Sequence, residues 1–363
     1  MTHRTLRMTA LCCATMLGIV TPALRAADAK KSDIAAQPNQ VRGDEITPQQ
    51  QEAVRRGLAW LAAHQQADGS FGAGGGAGKH AGITALAGLA FMQAGNLPGR
   101  GQYGDNVQKC LNFVLASCQE SGLISSDTSH GPMYGHGFAT LFLGEVFGMT
   151  GDEQVKEKLQ RAVRLIEQTQ NKEGGWRYQP VPYDADISVT ICQIMGLRSA
   201  RDAGIKVDKA TIDNAVKYVM ACRNPDGGFS YMARQGGGGG SGFARSAAGV
   251  ASLYYAGVFE GDALSSGLNY LKAFTPGKGM AADAEGHYFY GHYYAVQAMF
   301  LAGGDHWATW FPAIRDQLCA RQNNQTGAWS GDFSEDYATS MALIILQMPN
   351  RYLPVYTGKG PGS

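Results

Sequence analysis

The stretch Arg161-Ala162-x2-Leu165-Ile166-x3-Gln170-x3-Gly174-x-Trp176 has the same layout as Arg56-Gly57-x2-Trp60-Leu61-x3-Gln65-x3-Gly69-x-Phe71. In both, an amphipathic run reaches a Gln, and four residues later a Gly-x-aromatic triplet interrupts it. The triplet recurs at Gly227 to Phe229 and Gly327 to Trp329, with weaker copies at Gly122 to Ile124 and near Gly277. The spacing is one or two steps of about 50 residues, the mark of a repeat architecture, and six units fill residues 48–350. Each unit carries an amphipathic helix, the Gly loop, and a second helix that is apolar almost all round. In the first unit Val54, Leu58 and Leu61 form the stripe, and Ile83 to Met92 form the uncharged run.

A helix with one polar side faces water, whereas one without a polar side is enclosed by protein. Gly95, Gly148, Gly257 and Gly303 follow the apolar runs where C-terminal caps belong. Twelve helices in alternating outer and inner layers are therefore expected. A closed ring is preferred over an open rod because it has no end repeats to protect. Aligning the starts of the inner helices puts His80, His136, Ala185, Ser241, His292 and Glu335 in one column. Asp186 and Asp336 fall in the next, and Phe138, Phe243, Tyr294 and Tyr337 in the one after. In a closed ring these columns would rim one central cavity. The aromatic column would form an apolar wall, and Arg245 would join the helix starts in favouring an anionic headgroup.

These residues are where the chain resembles a known family. The Arg56 to Phe71 and Arg161 to Trp176 stretches resemble the QW repeat of squalene-hopene cyclases, within the superfamily of terpenoid cyclases and protein prenyltransferase β subunits. The resemblance implies an all-α (α/α)6 toroid with an apolar central cavity. It further implies that Asp184-Ala185-Asp186-Ile187 corresponds to the cyclase DxDD motif, with Asp186 as the acid that protonates an alkene. Asp184, His136 and His292 would assist. The last Asp of the motif is Ile187 here, and an Asp at a helix start is also an ordinary N-cap. The prenyltransferase zinc motif is missing its His, which is Tyr337 here, and no Asp-x-Cys occurs.

The chain has 363 residues, 44% hydrophobic and 17% charged, with a formal net charge of +1, so it buries a large core and lacks the basic stripe of a nucleic-acid binder. Arg4 and Arg7 precede an apolar stretch from Met8 to Leu24, followed by Ala26 and Ala27, the order of a signal peptide. Residues 1–26 are read as that signal, 27–47 as a polar leader and 351–363 as a C-terminal tail. The protein is expected in the periplasm or outside the cell, where a peripheral membrane contact is compatible with its ligand. Cys110, Cys118, Cys192, Cys222 and Cys319 are scattered singly on helical patterns and read as free thiols.

No cofactor is expected. A metal site would require His80, His136, His292 and Glu335 to converge within about 4 Å across helices spaced about 10 Å apart. The leading expectation is an isoprenoid-like hydrophobic small molecule or lipid bound in the central cavity, with its cyclisation or other modification there as the catalytic extension of that reading. The alternative is a non-catalytic binding or scaffold module on the same toroid, and a third reading is a metal-dependent or glycan-directed enzyme.

Overall fold

In the computed structural model, residues 45–72, 78–126, 131–233, 239–278, 286–331 and 333–357 are described. The expected signal peptide and nearly all of the leader lie outside them. Twelve α-helices are present among the described residues. The outer six are α1 (Pro48–His64), α3 (Gly104–Ala116), α5 (Glu153–Thr169), α7 (Lys209–Ala221), α9 (Asp262–Lys272) and α11 (Gly304–Arg321). The inner six are α2 (Ala81–Gln93), α4 (Met133–Thr150), α6 (Ile187–Asp202), α8 (Phe243–Tyr255), α10 (Tyr288–Ala302) and α12 (Glu335–Leu346). Each inner helix packs on its two inner neighbours, and α12 packs on α2, so the ring is closed.

The Gln of the repeat makes the joints between units. The Gln170 amide donates to the carbonyl of Gly174, 2.8 Å away in its own loop, and to that of Thr211, 2.9 Å away in α7. Gln65 does the same toward Gly69 and Asn106 of α3, at 3.1 and 3.0 Å. Gln322 donates to Gly327 and to Ala53 of α1, both at 2.8 Å, which joins the last unit to the first. Each such bond contributes on the order of 1 kcal/mol, and its partners are backbone carbonyls left unpaired without it. The loop Gly is required by geometry: Gly174 has φ +100°, and a Cβ there would lie 2.1 Å from the Asn214 carbonyl oxygen.

The loop aromatic is anchored from the inner helix. The backbone N–H of Phe71 donates to Thr84, of Ile124 to His136 Nδ1, of Trp176 to Thr190, of Phe229 to Ser246 and of Trp329 to Thr339, at 2.9 to 3.1 Å. This contact sets the true register of the repeats and corrects the column read from sequence. His136 shares a level with Thr84, Thr190, Ser246 and Thr339, whereas His80 is the N-cap of α2, one helical turn earlier. The helix starts differ by up to a turn between units, which one-dimensional alignment does not detect.

The middle of the ring is filled, where the sequence led us to expect a cavity. Tyr294 is 0% exposed. Phe138 of α4 meets Tyr293 of α10 across the ring, with ring centroids 6.0 Å apart. The Tyr294 hydroxyl lies 3.3 Å from Cys192 Sγ of α6, and the Tyr290 hydroxyl donates to the Ser188 carbonyl at 2.7 Å. The cause is close approach of helices: a Cβ on Gly137 of α4 would lie 2.6 Å from Cys192 Cβ, so α4 and α6 pack nearly backbone to backbone.

The end where the inner helices finish is sealed by the chain itself. Leu353, Val355 and Tyr356 are buried there, the last two in the 3-10 turn Pro354–Thr357. The Tyr356 hydroxyl lies 3.0 Å from that of Tyr293, and the Val355 N–H donates to Glu145 of α4 at 3.4 Å. Arg351 pairs at 2.9 Å with buried Glu45, which also accepts from Trp307 at 2.8 Å. The packed chain therefore runs from Glu45 to Tyr356, wider than the 48–350 that the repeats define.

Candidate functional site

The end where the inner helices begin is the mouth, and there unit three supplies the one cluster of chemistry that the sequence anticipated. Asp186 is the N-cap of α6. Its Oδ1 accepts from the Val189 N–H at 2.8 Å, the ordinary capping bond. Its Oδ2 is buried without a hydrogen-bond partner, 3.7 Å from Arg177 Nε, which is also unpartnered. Burial raises the carboxyl to about 6, against the pull of the Val189 N–H, the Tyr231 hydroxyl and the Arg177 charge. Asp184, two residues earlier, is half-buried and bound to Arg177, which ties the two ends of the 177–184 loop together.

Tyrosines surround this carboxyl. The Tyr178 and Tyr231 hydroxyls bond to each other, and Tyr134 stacks toward Tyr178 with ring centroids 6.1 Å apart. Burial raises Tyr231 and Tyr134, with the Asp186 charge the next cause in both. Tyr290 is half-buried, and Tyr134, Asp186, Cys192 and Tyr337 all stand in its electrostatic surroundings. These phenols keep partial exposure while Phe138, Tyr293 and Tyr294 below them are buried. The mouth is thus a wet aromatic rim over a dry floor.

The other residues singled out in the sequence are elsewhere or otherwise engaged. His136 points between the layers, holding Ile124, and burial lowers it to about 4. His292 also lies between the layers, with Phe243, Tyr288 and Trp310 around it, and burial lowers it to about 3. Both imidazoles are neutral at physiological pH, and the contacts given for each are with residues other than Asp186. Phe243 packs outward on Phe274 and Trp310, not into a ligand wall.

Asp336 accepts from the Gly72 N–H at 2.9 Å, joining unit six to the loop of unit one, and Glu335 accepts from Ser330 at 3.0 Å. His80 Nδ1 accepts from the N–H groups of Gly82 and Ile83. Among the described residues no group of three His, Cys, Asp or Glu could hold a metal, so the set His80, His136, His292 and Glu335 does not converge. Arg245 is half-buried at the start of α8, and Tyr337 packs on Phe333 at the mouth. Burial raises the Cys192 thiol to about 12, which makes it inert.

Sequence reasoning missed Arg177, Tyr178, Tyr231 and Tyr134. Two of them were legible: Tyr178 and Tyr231 each stand two residues after a loop aromatic, one repeat apart.

Comparison with known families agrees with this architecture. Residues 138–287 match the squalene-hopene cyclase C-terminal domain, and residues 6–123 match the prenyltransferase alpha-alpha toroid domain. The second match begins inside the stretch read as a signal peptide. No curated protein matches the chain.

Among solved structures, the GH76A alpha-1,6-mannanase from Salegentibacter sp. HEL1_6 is similar at TM-score 0.64 and 10% identity, over 82% of this chain and 98% of that one. Cellobiose 2-epimerase from Bacillus thermoamylovorans B4167 matches at 0.63 and 11%, over 83% and 98%. A type II terpene cyclase from Scytonema, in complex with geranylgeranyl dihydroxybenzoate, matches at 0.55 and 12%, over 84% and 97%. At such identities the structural likenesses define the fold, an (α/α)6 toroid. The two domain matches cover separate stretches of the sequence, and both are to domains of the terpenoid cyclase and prenyltransferase toroid kind, the fold that the described residues adopt.

Proposed function

We propose that this protein is an exported, non-catalytic binding module that takes a hydrophobic, isoprenoid-like ligand at the mouth of its ring and not through the middle. The observation that carries the reading is the contrast between the filled centre, where Phe138 meets Tyr293 and Tyr294 meets Cys192, and the half-exposed tyrosine rim above it. A polyprenyl chain folded inside the ring would have to displace those contacts. At the rim it meets aromatic faces that bind apolar chains and satisfy their own hydroxyls. The family matches and the isoprenoid-derived ligand of the Scytonema cyclase support the substrate class. The basic-then-apolar N-terminus supports export.

A second reading, acid catalysis by Asp186, is favoured by the carboxyl raised to about 6 in a dry setting. It is opposed by the missing partner acid at Ile187 and by the burial of the Asp186 carboxyl, which is 0% exposed. Incubation with squalene and with a C20 isoprenoid, followed by product analysis, separates the two. The binding reading expects recovered, unchanged ligand from wild type and Asp186→Asn alike. Cyclised product from wild type only would replace it with the catalytic one.

A further inference from the structure

The loop that enters the third inner helix carries a tip, Gln179-Pro180-Val181-Pro182-Tyr183. The Val181 N–H donates to the Gln179 carbonyl at 2.8 Å and the Tyr183 N–H to the Val181 carbonyl at 2.9 Å, which closes two successive γ-turns centred on the prolines. Proline fixes φ near about −65°, close to what such a turn needs. At its base the tip is pinned by the ion pair between Arg177 and Asp184. The tip is therefore held in one shape, yet what it holds out is apolar. Val181 is 52% exposed and Tyr183 85%, the latter the most exposed large hydrophobic side chain among the described residues.

Two properties of the tip select what covers it. Pro180 and Pro182 have no N–H, and those of Val181 and Tyr183 are used inside the turns, so residues 180–183 keep no backbone donor for a partner. A peptide that pairs by backbone hydrogen bonds finds no donor there, whereas an apolar medium, in which every unpaired N–H is costly, admits such a backbone without that cost. The side chains of the same four residues carry a single polar atom, the Tyr183 hydroxyl, and offer a sugar only that one group. A ring with one polar end instead suits the boundary between lipid tails and water. Phe333, 50% exposed, stands at the mouth in the sixth unit, across the ring from the third, so apolar points lie on both sides of the mouth.

We propose that the Pro180 to Tyr183 tip is a membrane-contact point that seats in the interfacial layer of a phospholipid bilayer, with Phe333 as a second point, and turns the mouth of the ring toward the lipid. This goes beyond the mouth reading above: that reading concerns a single molecule held at the rim, and this one the surface against which the rim is placed.

The test is co-sedimentation with phosphatidylcholine vesicles in 0.5 M NaCl, where attraction between exposed charges is screened to about 4 Å. The stretch from Met8 to Leu24 is itself apolar and lies outside the packed chain that begins at Glu45, so residues 1–26 are removed for the measurement. Val181→Ser combined with Tyr183→Ser should lower the partition coefficient about tenfold, and Phe333→Ser about threefold. All three side chains are exposed, so the variants keep the fold. Tyr352→Ser, at the sealed end, should pellet as wild type does. A fluorophore that reports polarity, attached at Tyr183→Cys, should shift to the blue on addition of vesicles.

Equal partition of wild type and the double variant would overturn the proposal, as would a fluorophore that does not shift. Pelleting only with phosphatidylglycerol vesicles and at low salt would give the contact to charge and overturn it as well. If wild type stays in solution and the double variant instead weakens self-association in sedimentation velocity, the tip meets a second copy of the chain and not a bilayer. These vesicles hold no isoprenoid, so such a failure leaves the mouth reading standing.

Discussion

The two ends of the inner barrel each hold a buried carboxyl, and they are treated in opposite ways. At the far end Glu145 of α4 has a partner for each oxygen: Ser199 donates to one at 2.7 Å and the Val355 N–H to the other at 3.4 Å. At the mouth Asp186 has a partner for one oxygen only. Burial raises both, Glu145 to about 7 and Asp186 to about 6, so desolvation alone does not tell a structural acid from a functional one. The distinguishing feature is the neighbour of the second oxygen: a backbone N–H for Glu145, and the Arg177 guanidinium, 3.7 Å away, for Asp186.

The contrast breaks most visibly if the far end is not a seal. Ending the chain at Arg351 removes Leu353, Val355 and Tyr356 from the core, and burial of three such side chains implies a loss of about 5 kcal/mol in urea unfolding. An unshifted midpoint would mean that the segment only rests on the ring. Next in size, Glu145→Ala should destabilise by about 3 kcal/mol, because it leaves the Ser199 hydroxyl and the Val355 N–H unpaired in a cavity. Asp186→Ala should cost only about 1 kcal/mol, the value of a lost N-cap. Equal losses from the two alanine variants would erase the distinction between the ends.

A separate effect concerns pH. The folded protein keeps the Asp186 proton up to about 6, while the unfolded chain releases it near 3.8. The native state therefore binds more protons in that window, and this group's contribution to stability falls as pH rises through it. Asp186→Asn, which keeps the cap and cannot ionise, should match wild type below pH 3.8 and exceed it by about 3 kcal/mol above pH 6. Melting curves taken across that range would read it, and parallel curves for the two proteins would show that the carboxyl is not desolvated.

The fold was open to reading because its signal is local. The Gln, the Gly at positive φ and the aromatic lie within seven residues, and Gln170, Gly174 and Trp176 keep that order because each makes a fixed backbone contact. The site was less legible because it depends on which way a helix is turned. His136 and His292 stand at helix starts, yet both point between the layers, and a shift of one residue turns a side chain by about 100°. The filled centre was not legible at all, since it follows from Gly137 letting α6 come close to α4. Asp186 was identified as the residue to examine, while its partner Arg177 carried no motif.

The Gln322 joint to Ala53 and the Glu45 to Arg351 pair place the two ends of the folded chain side by side. Linear order is then incidental to the architecture. A gene cut between any two hairpins and spliced across the old ends would encode the same wheel with a different first spoke.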